Sequence, residues 1–230
     1  EPELITEIGG GLGTDIEELT VGYTSSSSSL LTVNGGSLTT DSPVYIGKLF
    51  GSNGRVVVND GVLYSVRDIY VGYDGNGTLD IYGGHVRWRS GYDYHLYVSS
   101  NPSGGSSGLV NLHGGILEGG KLEILAGGQI DIDNDGMLIL DGDATEQIYI
   151  YELIGQMTAG NGSKELLYDY NFRNPYRTTV TIKEGNPVFG HTEGYCASDD
   201  DFSVGVSRFW QQAPKRILVN SNSIEVELWS

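Results

Sequence analysis

The chain has 230 residues, 35 of them glycine, a formal net charge of −17 and a single cysteine. A chain this acidic is repelled by phosphate backbones and anionic bilayers, so neither nucleic acid nor an anionic membrane surface is expected as a partner. One cysteine excludes an internal disulfide framework, and no apolar run reaches the ~18 residues of a membrane-spanning helix, so no transmembrane segment is expected.

Residues 1–15 are acidic and glycine-rich and read as an N-terminal arm or cap. The opening EPELIT lacks an initiator Met, as expected of a processed or trimmed chain with any signal peptide already gone.

Residues 16–143 carry a repeat. Four stretches share one pattern: ELTVGYTSSSSSLLTVNGGSL from Glu18, VYIGKLFGSNGRVVVNDGVL from Val44, IYVGYDGNGTLDIYGGHVRWR from Ile69 and LYVSSNPSGGSSGLVNLHGGIL from Leu96. A first anchor recurs at Gly22, Gly47, Gly72 and Ser99, and a second at Gly36, Gly61, Gly84 and Gly115. The spacing is close to 25, and the inserted loop NPSGGSSG accounts for the longest step. Apolar residues align in columns: Leu31, Val56 or Val57, Leu79 and Val110; Val33, Val58, Ile81 and Leu112; Leu38, Leu63, Val86 and Leu117. Within TLDIYGG, Leu79 and Ile81 alternate with Thr78 and Asp80, the period of a strand with one buried face. One such unit cannot bury its apolar face alone and needs copies on either side. The expectation is an all-β, right-handed parallel β-solenoid (a β-helix) of about 25-residue coils, with Ile81 inward and Thr78 and Asp80 outward. An antiparallel sandwich would also use glycine turns, but it has no reason to keep a fixed period.

Residues 119–143 read as a shorter coil pair, and residues 144–183 as a helix-plus-strand cap. Asp143 and Glu146 have capping-box spacing, and Ile150, Leu153, Ile154 and Met157 form an apolar stripe suited to cover the open end of the solenoid. Residues 166–182 read as two strands around the Asn174-Pro175 turn. Residues 184–230 form a C-terminal β segment that holds Cys196 and ends in the alternating SIEVELW.

Three constellations carry potential chemistry. Tyr45, Tyr70 and Tyr97 occupy one position in successive coils and should stack outward as a ladder, with Trp88 nearby. Aromatic rows bind sugar rings, and they equally stabilise a sheet surface by stacking on each other. Asp131, Asp133 and Asp135 with Gly136 have the D-x-D-x-D-G spacing of a calcium loop, although Gly142 stands where a closing Glu would be. The same residues fit an acidic strand ending in an Asp-Gly turn. Calcium is the one cofactor these spacings suggest. Asp199, Asp200 and Asp201 read as a solvated acidic loop, and Arg67, Arg87 and Arg89 as salt-bridge partners or basic groups of a polysaccharide-active face. No nucleophile elbow or His pair with metal spacing is present, so no catalytic set is recognisable.

VGYDGNGTLDIYGG resembles the repeat of type V-secreted (autotransporter) and PEP-CTERM surface proteins, roughly VG-x-x-G-x-G-x-L-x-I-x-x-GG. GQIDIDNDGMLILDGDATEQI and YDYNFRNPYRTTVT are similar to the end of such arrays, so the resemblance covers about residues 16–182. It implies an exported bacterial, extracellular or cell-surface element: a stalk, an adhesin or a filament subunit built by end-to-end stacking. It implies no catalytic residues. The stretch SRFWQQAPKRILVNSNSIEVELWS is similar to a β segment of exo-rhamnogalacturonan-lyase-like proteins. The alternative roles are therefore an extracellular glycan-binding module or a pectin-type polysaccharide-active β-helix.

Overall fold

The structure is a computed structural model that describes residues 4–9, 13–25, 28–101, 105–183, 216–220 and 223–227. The chain divides into two units, Glu1–Lys183 and Glu184–Ser230. Cys196, His191, Asp199–Asp201 and most of the lyase-like stretch lie outside the described residues. Within the second unit, β19 (Arg216–Asn220) and β20 (Ser223–Glu227) form an antiparallel hairpin.

The first unit is a parallel β-solenoid of about five turns, as the repeat period predicts. Coil one comprises β3 (Leu19–Val21) and β4 (Ser28–Thr40), and coil two β5 (Val44–Ile46) and β6 (Asn53–Ser65). Coil three comprises β7 (Ile69–Val71), β8 (Asn76–Ile81) and β9 (His85–Trp88). Coil four holds β10 (His95–Val98), β11 (Ser107–Leu112) and β12 (Ile116–Gly119). Residues 119–143, expected to make two coils, make one: β13 (Lys121–Ile124), β14 (Gly128–Ile132) and β15 (Met137–Asp141). The pairing also begins before residue 16. β1 (Leu4–Gly9) and β2 (Gly13–Ile16) both pair in parallel with β4, so the segment read as an arm or cap contributes strands to the stack.

Each coil has three faces. One is the sheet β3-β5-β7-β10-β13. The other two are formed by the first and second halves of β4 and β6, continued by β8, β11, β14 on one side and β9, β12, β15 on the other. The columns hold residue for residue. Leu31, Val56, Leu79 and Val110 pair successively, which settles Val56 over Val57; Val33, Val58, Ile81 and Leu112 do the same, as do Leu38, Leu63, Val86 and Leu117. All are buried. Each such side chain contributes about 1.5–3 kcal/mol by leaving water, against about 1–2 kcal/mol per residue for ordering the backbone. The coil therefore needs neighbours to be stable.

The anchors are corners where consecutive coils nearly touch. Gly47 has φ +74°, and a Cβ there would lie 2.3 Å from the Asn76 carbonyl oxygen of the next coil. Where coil four has Ser99 instead, φ is +63°, and its Oγ donates to the Ala126 carbonyl at 2.8 Å.

The helix α1 (Thr145–Leu153) covers an end of the stack, but through a different face from the expected stripe. Ile148 and Tyr151 are buried, whereas Ile150, Leu153 and Ile154 are 47%, 70% and 60% exposed. Met157 is buried, but on β16 (Met157–Ala159), which pairs with β14. The capping box does not form: the cap position is Ala144 and has no side-chain bond, and Asp143 Oδ1 instead accepts from Thr145 N and Oγ1. β17 (Glu165–Tyr170) and β18 (Arg177–Lys183) form the expected hairpin around residues 174–175, and β18 pairs antiparallel with β15.

Candidate functional site

In-register parallel pairing places identical coil positions one strand apart, so a tyrosine repeated at one position must stack. Tyr45 pairs with Tyr70 and Tyr70 with Tyr97 on the outer surface of β5, β7 and β10. Their ring centroids are 5.1 and 5.0 Å apart, with interplanar angles of 6° and 4°. Tyr73, from the corner after β7, meets Tyr45 and Tyr70 edge-on at 5.3 and 5.1 Å. His95 stacks on Tyr97 at 4.9 Å. Lys48 Nζ lies 4.3 Å from the Tyr45 centroid and pairs with Glu18. Thr20 and Glu123 hold the positions on either side, so the column ends at three tyrosines.

Asp68 organises the middle of the ladder. Its Oδ1 accepts from the His95 backbone N–H at 2.8 Å, and its Oδ2 from the Tyr70 hydroxyl at 3.4 Å. Burial, reinforced by the Asp68 charge, pushes the Tyr70 phenol well above its ordinary value. Burial also raises Tyr45 and Tyr97. Both faces of Tyr70 are covered by tyrosine rings, so the ladder is satisfied within itself.

Trp88, expected beside the ladder as a sugar-stacking ring, is 1% exposed. The alternation of β9 turns Val86 and Trp88 inward and Arg87 outward. Its ring lies so close to Gly119 of the next coil that a Cβ there would be 2.3 Å away. Trp88 is a core residue and offers no ring to a ligand.

Two of the D-x-D-x-D-G carboxylates, Asp131 and Asp133, are bound by the protein's own donors. Asp131 Oδ1 accepts from Thr158 Oγ1 at 2.6 Å and from Asn161 N at 2.8 Å. Asp133 Oδ1 accepts from Lys164 Nζ at 2.6 Å and from Asn134 N. Among the described residues, no three His, Cys, Asp or Glu side chains, Asp135 included, form a group able to hold a metal ion. Asp131 lies on the strand of residues 128–132, and Asp133 and Asp135 lie in the turn that follows it.

The three arginines are engaged separately. Arg67 Nε donates to the Asp41 carbonyl, Arg87 lies over Tyr64 at 5.0 Å, and Arg89 lies over Tyr92 at 4.0 Å.

Two features escape sequence reasoning because their members are far apart in the chain. One is an ion cluster. Glu118 on β12 faces His85 Nε2 at 3.2 Å and Arg177 at 3.2 Å, and Arg177 also pairs with Asp141 at 2.9 Å. The His85 imidazole first, and Arg177 after it, hold the Glu118 carboxyl down at about 2. The other is a polar cleft of ≈350 Å³ between β13 and α1, lined by His95, Lys121, Glu123, Asp143, Gln147 and Tyr151. A third set is visible in the period: Arg55 Nε donates to Asp80 Oδ2 at 2.6 Å, and Asn111 Nδ2 to Asp80 Oδ1 at 2.7 Å, with Asp80 and Asn111 in register on neighbouring strands. Among the described residues, no helix is long and apolar enough to cross a membrane.

Compared with known proteins, the chain matches no family model, no curated protein and no solved structure.

Proposed function

We propose that this chain is a non-enzymatic structural element of a bacterial cell surface or extracellular assembly, an exported solenoid that serves as stalk or spacer. The observation that carries the reading is how the outer surface uses its polar and aromatic groups. Tyr45, Tyr70 and Tyr97, Arg55, Asp80 and Asn111, and the hydrogen bond from Asn59 Nδ2 to Asn34 Oδ1 all join neighbouring coils. Groups spent on coil-to-coil contacts reinforce the stack and leave no convergent catalytic set among the described residues. The repeat's resemblance to autotransporter and PEP-CTERM surface proteins supports export, and the charge of −17 supports solubility outside the cell. Fractionation of a producing bacterium, with immunogold electron microscopy, tests this. Label on the outer surface or in the medium is the expected result; label confined to the cytoplasm sinks the reading.

A glycan-binding role is the second reading. It is favoured by the solvent-facing edges of the ladder and the adjoining polar cleft. A glycan array with Tyr70→Ala and Tyr97→Ala controls decides it, since no binding to any plant or microbial glycan removes the idea.

A further inference from the structure

Three phenols lie within one ring-to-ring distance of a fourth. Tyr70 is the hub, with Tyr45, Tyr97 and Tyr73 at centroid distances of 5.1, 5.0 and 5.1 Å. Its hydroxyl donates to a carboxylate, Asp68. The three strand tyrosines are half-buried, so they face solvent along one edge while their rings are held by the sheet. This is the arrangement that oxidative phenol coupling requires: neighbouring rings held close, a base at one hydroxyl, and access for a small oxidant.

We propose that the tyrosine ladder is a site of covalent modification, at which Tyr70 couples to a neighbouring ladder tyrosine to form a dityrosine bridge between coils. The co-reactant is a peroxide that draws one electron at a time. Each of two phenols loses one electron and its hydroxyl proton, and at Tyr70 Asp68 takes that proton and passes it to water. The two phenoxyl radicals join by one C–C bond between ring carbons ortho to oxygen. Each ring then moves its displaced ortho hydrogen to oxygen and regains aromaticity. In sum, two tyrosines lose two protons and two electrons, and the peroxide O–O bond is reduced and cleaved by those two electrons. Stacking favours the first step, because a hole on one ring is shared with parallel rings 5.1 and 5.0 Å away. A phenol is un-ionised at neutral pH and burial moves these further from ionisation, so the nearby carboxylate serves as the proton acceptor.

The bridge would close a loop of one coil and remove freedom from the unfolded chain, as a disulfide does. Solvent-exposed Tyr176 has no tyrosine ring beside it among the described residues and would couple only on collision between molecules.

The test oxidises the full chain with peroxydisulfate and a photoexcited ruthenium trisbipyridyl complex, then maps peptides of the monomeric product. The expected result is a monomer lighter by two hydrogens, with dityrosine fluorescence, whose linked peptides join Tyr70 to Tyr45 or Tyr97. It should also melt at a higher temperature than the unoxidised chain. Tyr70→Phe keeps the ring stack but lacks the phenol, and should lose most of the product linked through Tyr70; Tyr176→Phe should keep it. The double variant Tyr45→Phe/Tyr97→Phe leaves Tyr70 in place and should lose the bridge between coils, which keeps the experiment decisive if Tyr70→Phe folds poorly. The proposal is overturned by an absence of dityrosine, by products that are mainly intermolecular, or by an unchanged intramolecular yield in Tyr70→Phe.

Discussion

The hydroxyl of Tyr151, on α1, accepts a hydrogen bond from the backbone N–H of Ile124, on the outermost strand of the β3-β5-β7-β10-β13 sheet, at 3.1 Å. One helical turn earlier, Gln147 Nε2 donates to the Leu122 carbonyl at 2.9 Å and to the same Tyr151 hydroxyl. Beyond the helix, Gln156 Nε2 donates to the Leu125 carbonyl. Side chains thus take the hydrogen bonds that a further coil would have supplied, and a strand edge that could template association is closed. Tyr151→Phe leaves the Ile124 N–H unsatisfied and should cost about 1–3 kcal/mol. Urea melts of the variant measure that loss, and faster amide exchange at Ile124 locates it. A variant that melts and exchanges like wild type would show that the edge needs no cap.

Ile81 and Asp80 separate the two faces of one strand. Ile81→Asp puts a carboxylate between Val58 and Leu112 with no partner, and should cost several kcal/mol, comparable to the whole stability of many domains. Asp80 faces outward yet is only 2% exposed, because Arg55 and Asn111 cover it from the flanking coils. Its replacement is therefore not the neutral change that strand alternation alone suggests. Because Arg55 remains half-exposed, Asp80→Asn should cost about 1 kcal/mol. Thermal melts of both variants check the order; a larger loss from Asp80→Asn would mean that the faces are inverted.

Gly47 and Gly91 have nearly the same φ, +74° and +75°, but opposite surroundings. A Cβ at Gly47 would collide with the backbone of Asn76, whereas nothing lies within 4 Å of one at Gly91. Gly91→Ala should cost about 1–2 kcal/mol, the expense of the left-handed conformation alone. Gly47→Ala must also push two coils apart and should exceed it clearly in denaturant melts. Equal losses would show that the corner tolerates separation.

Glu118 makes the stack acid-sensitive. Its folded value near 2 is below the ordinary 4.5, so its contribution is complete above about pH 4.5 and is lost as pH falls toward 2. Glu118→Gln lacks that titration. Denaturant midpoints of wild type should fall more steeply than those of the variant between pH 4.5 and 2; parallel curves would remove Glu118 from the account.

The sequence states the inner columns and the tyrosine ladder plainly, because in-register parallel pairing turns a period in the chain directly into contact in space. It misleads at α1. A short helix with apolar side chains all round does not reveal its buried face, and what selects Ile148 and Tyr151 is the β13 edge that Gln147 and Tyr151 must reach. It misleads again at Trp88, whose place near a row of tyrosines suggests a surface role while the alternation of HVRW turns it inward. Outward carboxylates such as Asp80 and Asp131 look solvated in one strand and become buried only when the next coil is laid beside them. The Glu118 cluster joins residues from His85 to Arg177, a span over which no local motif exists.

Because each coil touches only its neighbours and repeats their register, the array has modular arithmetic. Removing residues 44–68, which run from Val44 to the position before its register partner Ile69, would bring β3 against β7 with the Gly22 and Gly72 corners in phase. The closed end at α1 would be untouched, and the stack would shorten by one strand spacing, about 4.8 Å. Reach in such a molecule is a counted quantity, changed in whole steps by duplication or loss of a coil, without redesign of any core.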